Sequence, residues 1–194
     1  MNLNLGKGTT VLTVTTAALL LAQLAGVFTG LNSWVNARLP LIDSSLMKAL
    51  TALGGDSFLV PAIALFMILD LRRGRLSRET LALLIATAVG LALVAVMKVS
   101  LAEPRPRPLP GANFLSSGSF PSGHAFRAAV IASYVSDRWR KLAPLAWVYA
   151  AGIALTRLLL HYHWFSDVLF SLVFAPWLYL TIRGTLPEST GVRS

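Results

Sequence analysis

T-L-A-L-L-I-A-T-A-V-G-L-A-L-V-A-V-M, residues 80–97, runs eighteen positions without a charge and is closed by Lys98. At about 1.5 Å per helical residue, such a run with its flanks crosses the roughly 30 Å of a bilayer's hydrocarbon core. The rest of the chain supports a membrane reading. Its 194 residues are 55% hydrophobic and 13% charged, with a mean hydropathy of +0.66. About a quarter of a soluble domain is charged, so a soluble monomer is disfavoured and a disordered chain is excluded. The length fits one domain, residues 1–194. The charge is nevertheless basic, 17 Lys and Arg against 8 Asp and Glu, for a net +9. Nucleic-acid binding is the usual inference from that balance. The apolar content argues against it and for a membrane protein with cationic loops and an anionic substrate. There is no cysteine, which removes disulfides, thiolate catalysis and cysteine metal sites.

Working outward from residues 80–97, Thr9 to Ala37 carries no charge and is long enough to cross. A cleaved signal peptide is the competing reading. No clean small-x-small cleavage site follows the run, and more apolar segments come after it, so a retained anchor is expected. Ser57–Leu69 is short and needs Ala49–Gly55 to reach across. Leu142–Tyr162 contains Arg157, and Trp164–Ile182 contains Asp167. Ser122–Ser136 contains Arg127 and is the poorest by hydropathy. Together these predict an all-α fold, a six-helix transmembrane bundle, with no soluble domain, internal repeat or low-complexity segment.

The loops test that layout. With Lys7 in the cytoplasm, alternation puts Arg72, Arg73, Arg75, Arg78, Arg138, Arg140, Lys141, Arg183 and Arg193 inside as well, ten basic residues against seven. This follows the positive-inside rule, with both termini cytoplasmic and the chain in the cell membrane. Trp139, Trp147 and Trp177 fall near the inner interface, and Trp34 and Trp164 near the outer one. The charge runs at 72–78 and 138–141 are read as topology determinants.

Lys98, Arg105 and Arg157 are exceptions, lying at outer ends of spans or in the loop between the third and fourth. Ionisable groups at membrane depth are costly and mark function by default, although one long side chain can simply snorkel to water. Three segments reach that surface: K-V-S-L-A-E-P-R-P (98–106), F-P-S-G-H (120–124) and T-R-L-L-L-H-Y-H-W-F-S-D (156–167). His163 and Asp167 are four apart, so on a helix they share a face. The carboxylate can accept one imidazole proton and aim the other nitrogen outward, orienting a nucleophile or base; a structural hydrogen bond is the alternative. Ser122 and Gly123 stand where a helix begins, and free N–H groups there bind phosphate well. His124 follows in the first turn, within reach of a leaving group; a plain turn and cap is the alternative. Pro104, Pro106, Pro108 and Pro110 hold the chain extended after a helix ending near Lys98 or Val99, letting Arg105 project back toward Lys98. With Arg157, two guanidinium forks and one ammonium face an anion. Metal ligation by His161, His163, His124 and Asp167 is the competing use of these residues, but the three cations would repel a dication.

The three ordered motifs resemble the type 2 phosphatidic acid phosphatase family of membrane lipid phosphatases. Lys98, Arg105 and Pro106 match K-x-x-x-x-x-x-R-P, and Pro121–His124 match P-S-G-H. Arg157, His163 and Asp167 match S-R-x-x-x-x-x-H-x-x-x-D, with Thr156 in place of serine. The likeness covers about residues 50–180. Arg127 resembles a variant of the second motif found in some polyisoprenoid-diphosphate phosphatases of the family.

The resemblance implies that His163 attacks phosphorus to form a phosphohistidine while Asp167 orients it. His124 would protonate the leaving oxygen and then activate water. Lys98, Arg105, Arg157, Ser122 and Gly123 would hold the phosphate oxygens, with no metal and no cofactor. The partners are then the bilayer and a lipid phosphate or polyprenyl diphosphate, bound at the outer interface, and no nucleic acid. A phosphotransferase on the same scaffold is the runner-up, and a non-enzymatic transporter is the alternative of a different class. A vanadate haloperoxidase fits poorly with so short and apolar a chain. Undecaprenyl diphosphate, phosphatidylglycerol phosphate, phosphatidic acid and phosphorylated lipid A all carry a suitable terminal phosphate. His161, Arg107 and the 107–120 loop are candidates for tuning among them.

Overall fold

The computed structural model describes residues 2–111 and 113–187; Arg193, counted above among the cytoplasmic cations, lies outside them. The described residues form eight α-helices and no strand. These are α1 (Asn2–Leu24), α2 (Thr29–Arg38), α3 (Ser45–Ala52), α4 (Asp56–Leu71), α5 (Arg78–Leu101), α6 (Gly123–Arg138), α7 (Ala143–Leu159) and α8 (Phe165–Thr185). Short 3-10 turns stand at Phe114–Ser116 and Arg140–Leu142. The fold is all-α, as expected from the sequence.

Four units are long and apolar enough to cross a membrane: α3 with α4 (Ser45–Leu71), α5, Arg140–Leu159 around α7, and α8. The protein is therefore a multi-pass membrane protein. The run Thr9–Ala37 is not the single straight span expected. α1 stops at Leu24, Gly26 turns the chain at φ +70°, and α2 leaves at 88° to α1. The pair makes a fifth span only if counted as one unit. A buried polar contact fixes α2 there: the Asn32 amide donates to Ser166 Oγ at 2.9 Å and accepts from the Ser166 N–H at 3.0 Å. Hydropathy could not register this, since one asparagine barely lowers the average of an apolar run.

α6 is not among the helices that qualify by length and apolarity. Its place in the bundle explains its weak hydropathy. Ala125, Phe126, Ala128, Ala129, Val130 and Ala132 are fully buried, and α5, α7 and α8 pack around it. A helix enclosed by helices needs small side chains for close approach and no greasy outer face. From its start an aromatic column descends through the core. Phe120 meets Phe170 with centroids 4.8 Å apart, Phe170 stacks on Phe174 at 5.3 Å, and Phe174 meets Phe126 at 5.5 Å.

The end of the bundle away from the histidines is closed by ion pairs. Asp70, 2% exposed, accepts from Arg138 at 3.1 Å and from the Ser77 N–H at 2.8 Å. Arg183 pairs with Asp137 and lies 3.5 Å from Glu79, while Tyr179 donates to Asp137 at 2.8 Å. Arg138 and Arg183 thus knit α4, α5, α6 and α8 together, a structural role beyond that of topology determinants. Arg72, Arg73, Arg75, Arg140 and Lys141 stay exposed.

Candidate functional site

The other end gathers the three sequence motifs. α5 runs to Leu101, past the expected end at Lys98 or Val99, and finishes on Ala102 in a left-handed conformation (φ 46°). Lys98 therefore sits inside the last turn, only 6% exposed. Its ammonium donates to the carbonyls of Gly118 (2.8 Å) and Ser119 (3.0 Å).

Arg105 closes the same loop from the opposite side. Its Nε donates to Ser117 O, and Nη2 donates to Ser116 O and Gly118 O at 2.8 and 2.9 Å. Nη1 donates to Tyr162 O at 2.6 Å and meets His163 Nε2 at 3.1 Å. All five donors of the fork are engaged, by four carbonyls and one imidazole. Lys98 and Arg105 share the Gly118 carbonyl, and only glycine fits there. A Cβ on Gly118 would stand 2.3 Å from the Lys98 carbonyl oxygen.

His163 and Asp167 do meet, but not as two residues on one helix face. α8 begins at Phe165 and Trp164 is its extended N-cap, so His163 lies in the turn before the helix. Asp167 Oδ2 reaches back from the third helical position. It accepts from the Trp164 N–H at 2.9 Å and lies 3.0 Å from His163 Nδ1. This is the carboxylate half of a capping box put to a second use. Since Asp167 accepts at Nδ1 and Arg105 donates at Nε2, the imidazole carries its proton on Nδ1 and a lone pair on Nε2. Burial, then the charges of Lys98, Arg157 and Arg105, hold the His163 pKa well below its ordinary value, so the ring is neutral. Neutrality suits a nucleophile.

Ser122 caps α6 and is fully buried; its Oγ accepts from the Ala125 N–H at 3.5 Å, and its own N–H donates to Asp167 O at 3.2 Å. The second and third motifs are thus joined backbone to backbone. Gly123 and His124 open the helix, and no acceptor for their N–H groups is present among the described residues. His124 lies against the Gly54–Gly55 turn between α3 and α4. A Cβ on Gly54 would stand 3.4 Å from His124 Cβ and 2.4 Å from Ile153 Cγ2, so that turn also requires glycine.

Arg157 is 3% exposed. It donates through Nη1 to Thr51 Oγ1 at 2.9 Å and lies 5.0 Å from the Tyr162 ring centroid, while its buried Nε has no hydrogen-bond partner. Among the described residues neither Lys98, Arg105 nor Arg157 has a carboxylate partner. Taking an ion out of water costs several kcal/mol, so two buried cations, Lys98 and Arg157, beside a half-buried third, Arg105, and all without a carboxylate, require a functional explanation. Among the described residues no three His, Cys, Asp or Glu side chains cluster in a way that could hold a metal.

The remaining cations are accounted for differently. Lys48 and Arg107 both bind Asp43, at 2.8 and 2.6 Å, and lower its pKa. Arg107 also approaches the Tyr162 ring, Arg127 makes a two-point contact with Asp56, and Arg38 lies 4.0 Å over Trp34. His161 takes a positive φ of 54° and turns its Nε2 to Leu39 O at 3.1 Å, a structural contact away from the cations. Sequence reasoning missed Thr51, Gly118, Asn32 and Gly54. A lone polar residue or glycine in an apolar context was the available signal, and it is too common to be specific.

No curated protein matches the chain by sequence. Among solved structures, the fold is similar to the crystal structure of a transmembrane PAP2-type phosphatidylglycerolphosphate phosphatase from Bacillus subtilis. The two superpose with a TM-score of 0.74 at 25% identity, covering 91% of this chain and 94% of that one. The model of the PAP2 superfamily matches residues 79–185, more than half of the chain and all three motifs. The chain belongs to the PAP2 superfamily, the type 2 phosphatidic acid phosphatase family that its motifs resemble.

Proposed function

We propose that the protein is a membrane lipid phosphatase that hydrolyses the terminal phosphate of a lipid phosphate or polyprenyl diphosphate through a phosphohistidine on His163. The observation that carries the reading is a neutral histidine, oriented by Asp167, whose Nε2 lone pair meets Arg105 Nη1 and whose surroundings include the charges of Lys98 and Arg157. Likeness to a phosphatidylglycerolphosphate phosphatase supports the same substrate chemistry.

In this mechanism the phosphate displaces the Arg105 Nη1 contact from His163 Nε2, and Arg105 turns that donor onto a phosphate oxygen. Nε2 attacks phosphorus, the P–N bond forms, and the bond to the leaving oxygen breaks. His124 gives its proton to that oxygen, then takes one from the water that cleaves the P–N bond. Asp167 stabilises the positive charge that His163 acquires. Lys98, Arg105, Arg157, Ser122 and the Gly123 N–H hold the equatorial oxygens, so that protein cations do the work a metal would otherwise do.

α1, α3–α4, α5, α6, α7 and α8 are read as six crossings. The histidine end faces outward from the cell membrane and both termini are cytoplasmic. The exposed basic residues 72, 73, 75, 140 and 141 at the opposite end support that orientation. Apolar side chains exposed on the flank, such as Leu46, Leu65 and Val148, face lipid, from which the substrate enters.

The test is phosphate release by purified enzyme in detergent from phosphatidic acid, phosphatidylglycerol phosphate, undecaprenyl diphosphate and phosphorylated lipid A. Turnover of at least one is expected, with full activity in chelator. His163→Ala abolishes turnover in folded protein. Full activity in that variant removes the nucleophile assignment, and a loss in chelator restored by one specific metal removes metal independence.

A further inference from the structure

We infer that Thr51, in α3 and outside the region matched by the family model, is a positioning residue for the phosphate-binding arginine Arg157; this rests on the lipid-phosphatase reading.

The hydroxyls of Thr51 and Thr156 are 3.0 Å apart, and Thr156 Oγ1 is also 2.7 Å from the Ile153 carbonyl. A hydroxyl has one proton to give. Thr156 shares its proton in a forked contact between the Ile153 carbonyl and Thr51 Oγ1. Thr51 Oγ1 also accepts from Arg157 Nη1 at 2.9 Å. Thr51 Oγ1 is thus a shared acceptor, tied to Arg157 on one side and through Thr156 to the backbone of α7 on the other. All three side chains are at least nine-tenths buried, so water does not substitute for a missing member.

This shared acceptor fixes one edge of the guanidinium, while the Tyr162 ring bounds its face at 5.0 Å. With edge and face both held, the unpartnered Nε and the remaining N–H groups stay fixed in direction for an anion. The arrangement also gives Thr156 a task that its hydroxyl alone performs, so a threonine serves where the family pattern has serine. Thr51 itself is placed by its own helix end, where its carbonyl accepts from the Gly54 N–H at 3.0 Å in the turn against His124.

The test compares Thr51→Val, which keeps shape and loses the hydroxyl, with Thr51→Ser, which keeps the hydroxyl. A hydrogen bond to a charged group is worth enough that Thr51→Val should lower kcat/KM for phosphatidic acid by roughly 10- to 100-fold. Orthovanadate binding, followed by calorimetry, should weaken by a similar factor, and Thr51→Ser should recover most of both losses. In an Arg157→Ala background Thr51→Val should add nothing, because the group it positions is gone. Wild-type behaviour of Thr51→Val, Thr51→Ser no better than Thr51→Val, or additive losses in the double variant would each overturn the inference. Circular dichroism and melting check the fold, and Thr51→Ala carries the comparison if Thr51→Val does not fold. If the wild type releases phosphate from no lipid, the phosphatase reading fails, yet weaker vanadate binding by Thr51→Val still sustains the positioning role. A wild type that binds no vanadate overturns both.

Discussion

The two ends of the bundle treat arginine in opposite ways. Away from the histidines, Arg138 and Arg183 are held by Asp70, Glu79 and Asp137 on three different helices. At the histidine end, Lys98, Arg105 and Arg157 are held by carbonyls, a hydroxyl, an imidazole and a ring. A carboxylate cancels a cation's charge as well as orienting it, whereas a carbonyl orients it and leaves the charge. The first end therefore spends its charges on cohesion. The second keeps three positive charges aimed and uncancelled, which lowers stability and creates a place for an anion.

The largest effect that separates the two ends is expected for Arg157→Ala. Losing one oriented donor to developing charge costs about 100- to 1000-fold in kcat. Because that guanidinium is buried without a counter-ion, its removal should leave the melting temperature unchanged or raise it. A variant both inactive and markedly destabilised would mean that Arg157 holds the fold. Asp70→Asn is the mirror experiment. It leaves Arg138 with only the 3.8 Å contact to Glu79, and breaking a mostly buried pair costs about 2–3 kcal/mol after allowing for the exposure of Arg138. Thermal unfolding should register that loss while KM and kcat stay within about twofold of wild type, since the pair contributes to cohesion alone.

What was legible in the sequence divides along the same line. Motif spacing named Lys98, Arg105, His124, Arg157, His163 and Asp167, and the fold does gather these residues, because fixed gaps within a helix or turn survive folding. The local route was less legible. Asp167 reaches His163 through a helix cap, since Trp164 adopts an extended conformation that a residue count does not reveal. The partners of the cations were illegible altogether. Thr51 meets Arg157 across 106 positions, Asn32 meets Ser166 across 134, and nothing local marks either. Four basic residues without an evident task, Arg38, Lys48, Arg107 and Arg127, found Trp34, Asp43 and Asp56 in the same long-range way or within one turn. The weak hydropathy of α6 was real, but its cause, enclosure by other helices, belongs to tertiary packing.

A smaller effect tests how far the site depends on α2. Asn32 satisfies the Ser166 N–H, one of the orphan donors at the start of α8, next to Asp167. Asn32→Ala should cost about 1–2 kcal/mol of stability, as cap losses do. It should also lower kcat several-fold more than it changes KM, because the carboxylate that orients His163 loses its support. Unchanged kcat with the same loss of stability would confine α2 to packing.

The smallest effect concerns Arg127, the cation that blurs the comparison. It stands beside the site, with Nη1 2.9 Å from where a Gly123 Cβ would be, yet it has a carboxylate partner in Asp56. If cancellation is what separates the two ends, Asp56 mutes a fourth positive charge at the histidine end. Its side chain is 67% exposed, so the pair is worth no more than about 1 kcal/mol to stability and Asp56→Asn should melt nearly as the wild type does. Removing one negative charge should strengthen inhibition by inorganic phosphate about two- to fivefold at low ionic strength. That gain should vanish near 1 M salt, where the Debye length falls to about 3 Å. A weaker inhibition at low salt would mean that Asp56 aims Arg127 at the anion rather than muting it, and the site would then contain four cations, one of them steered by a carboxylate.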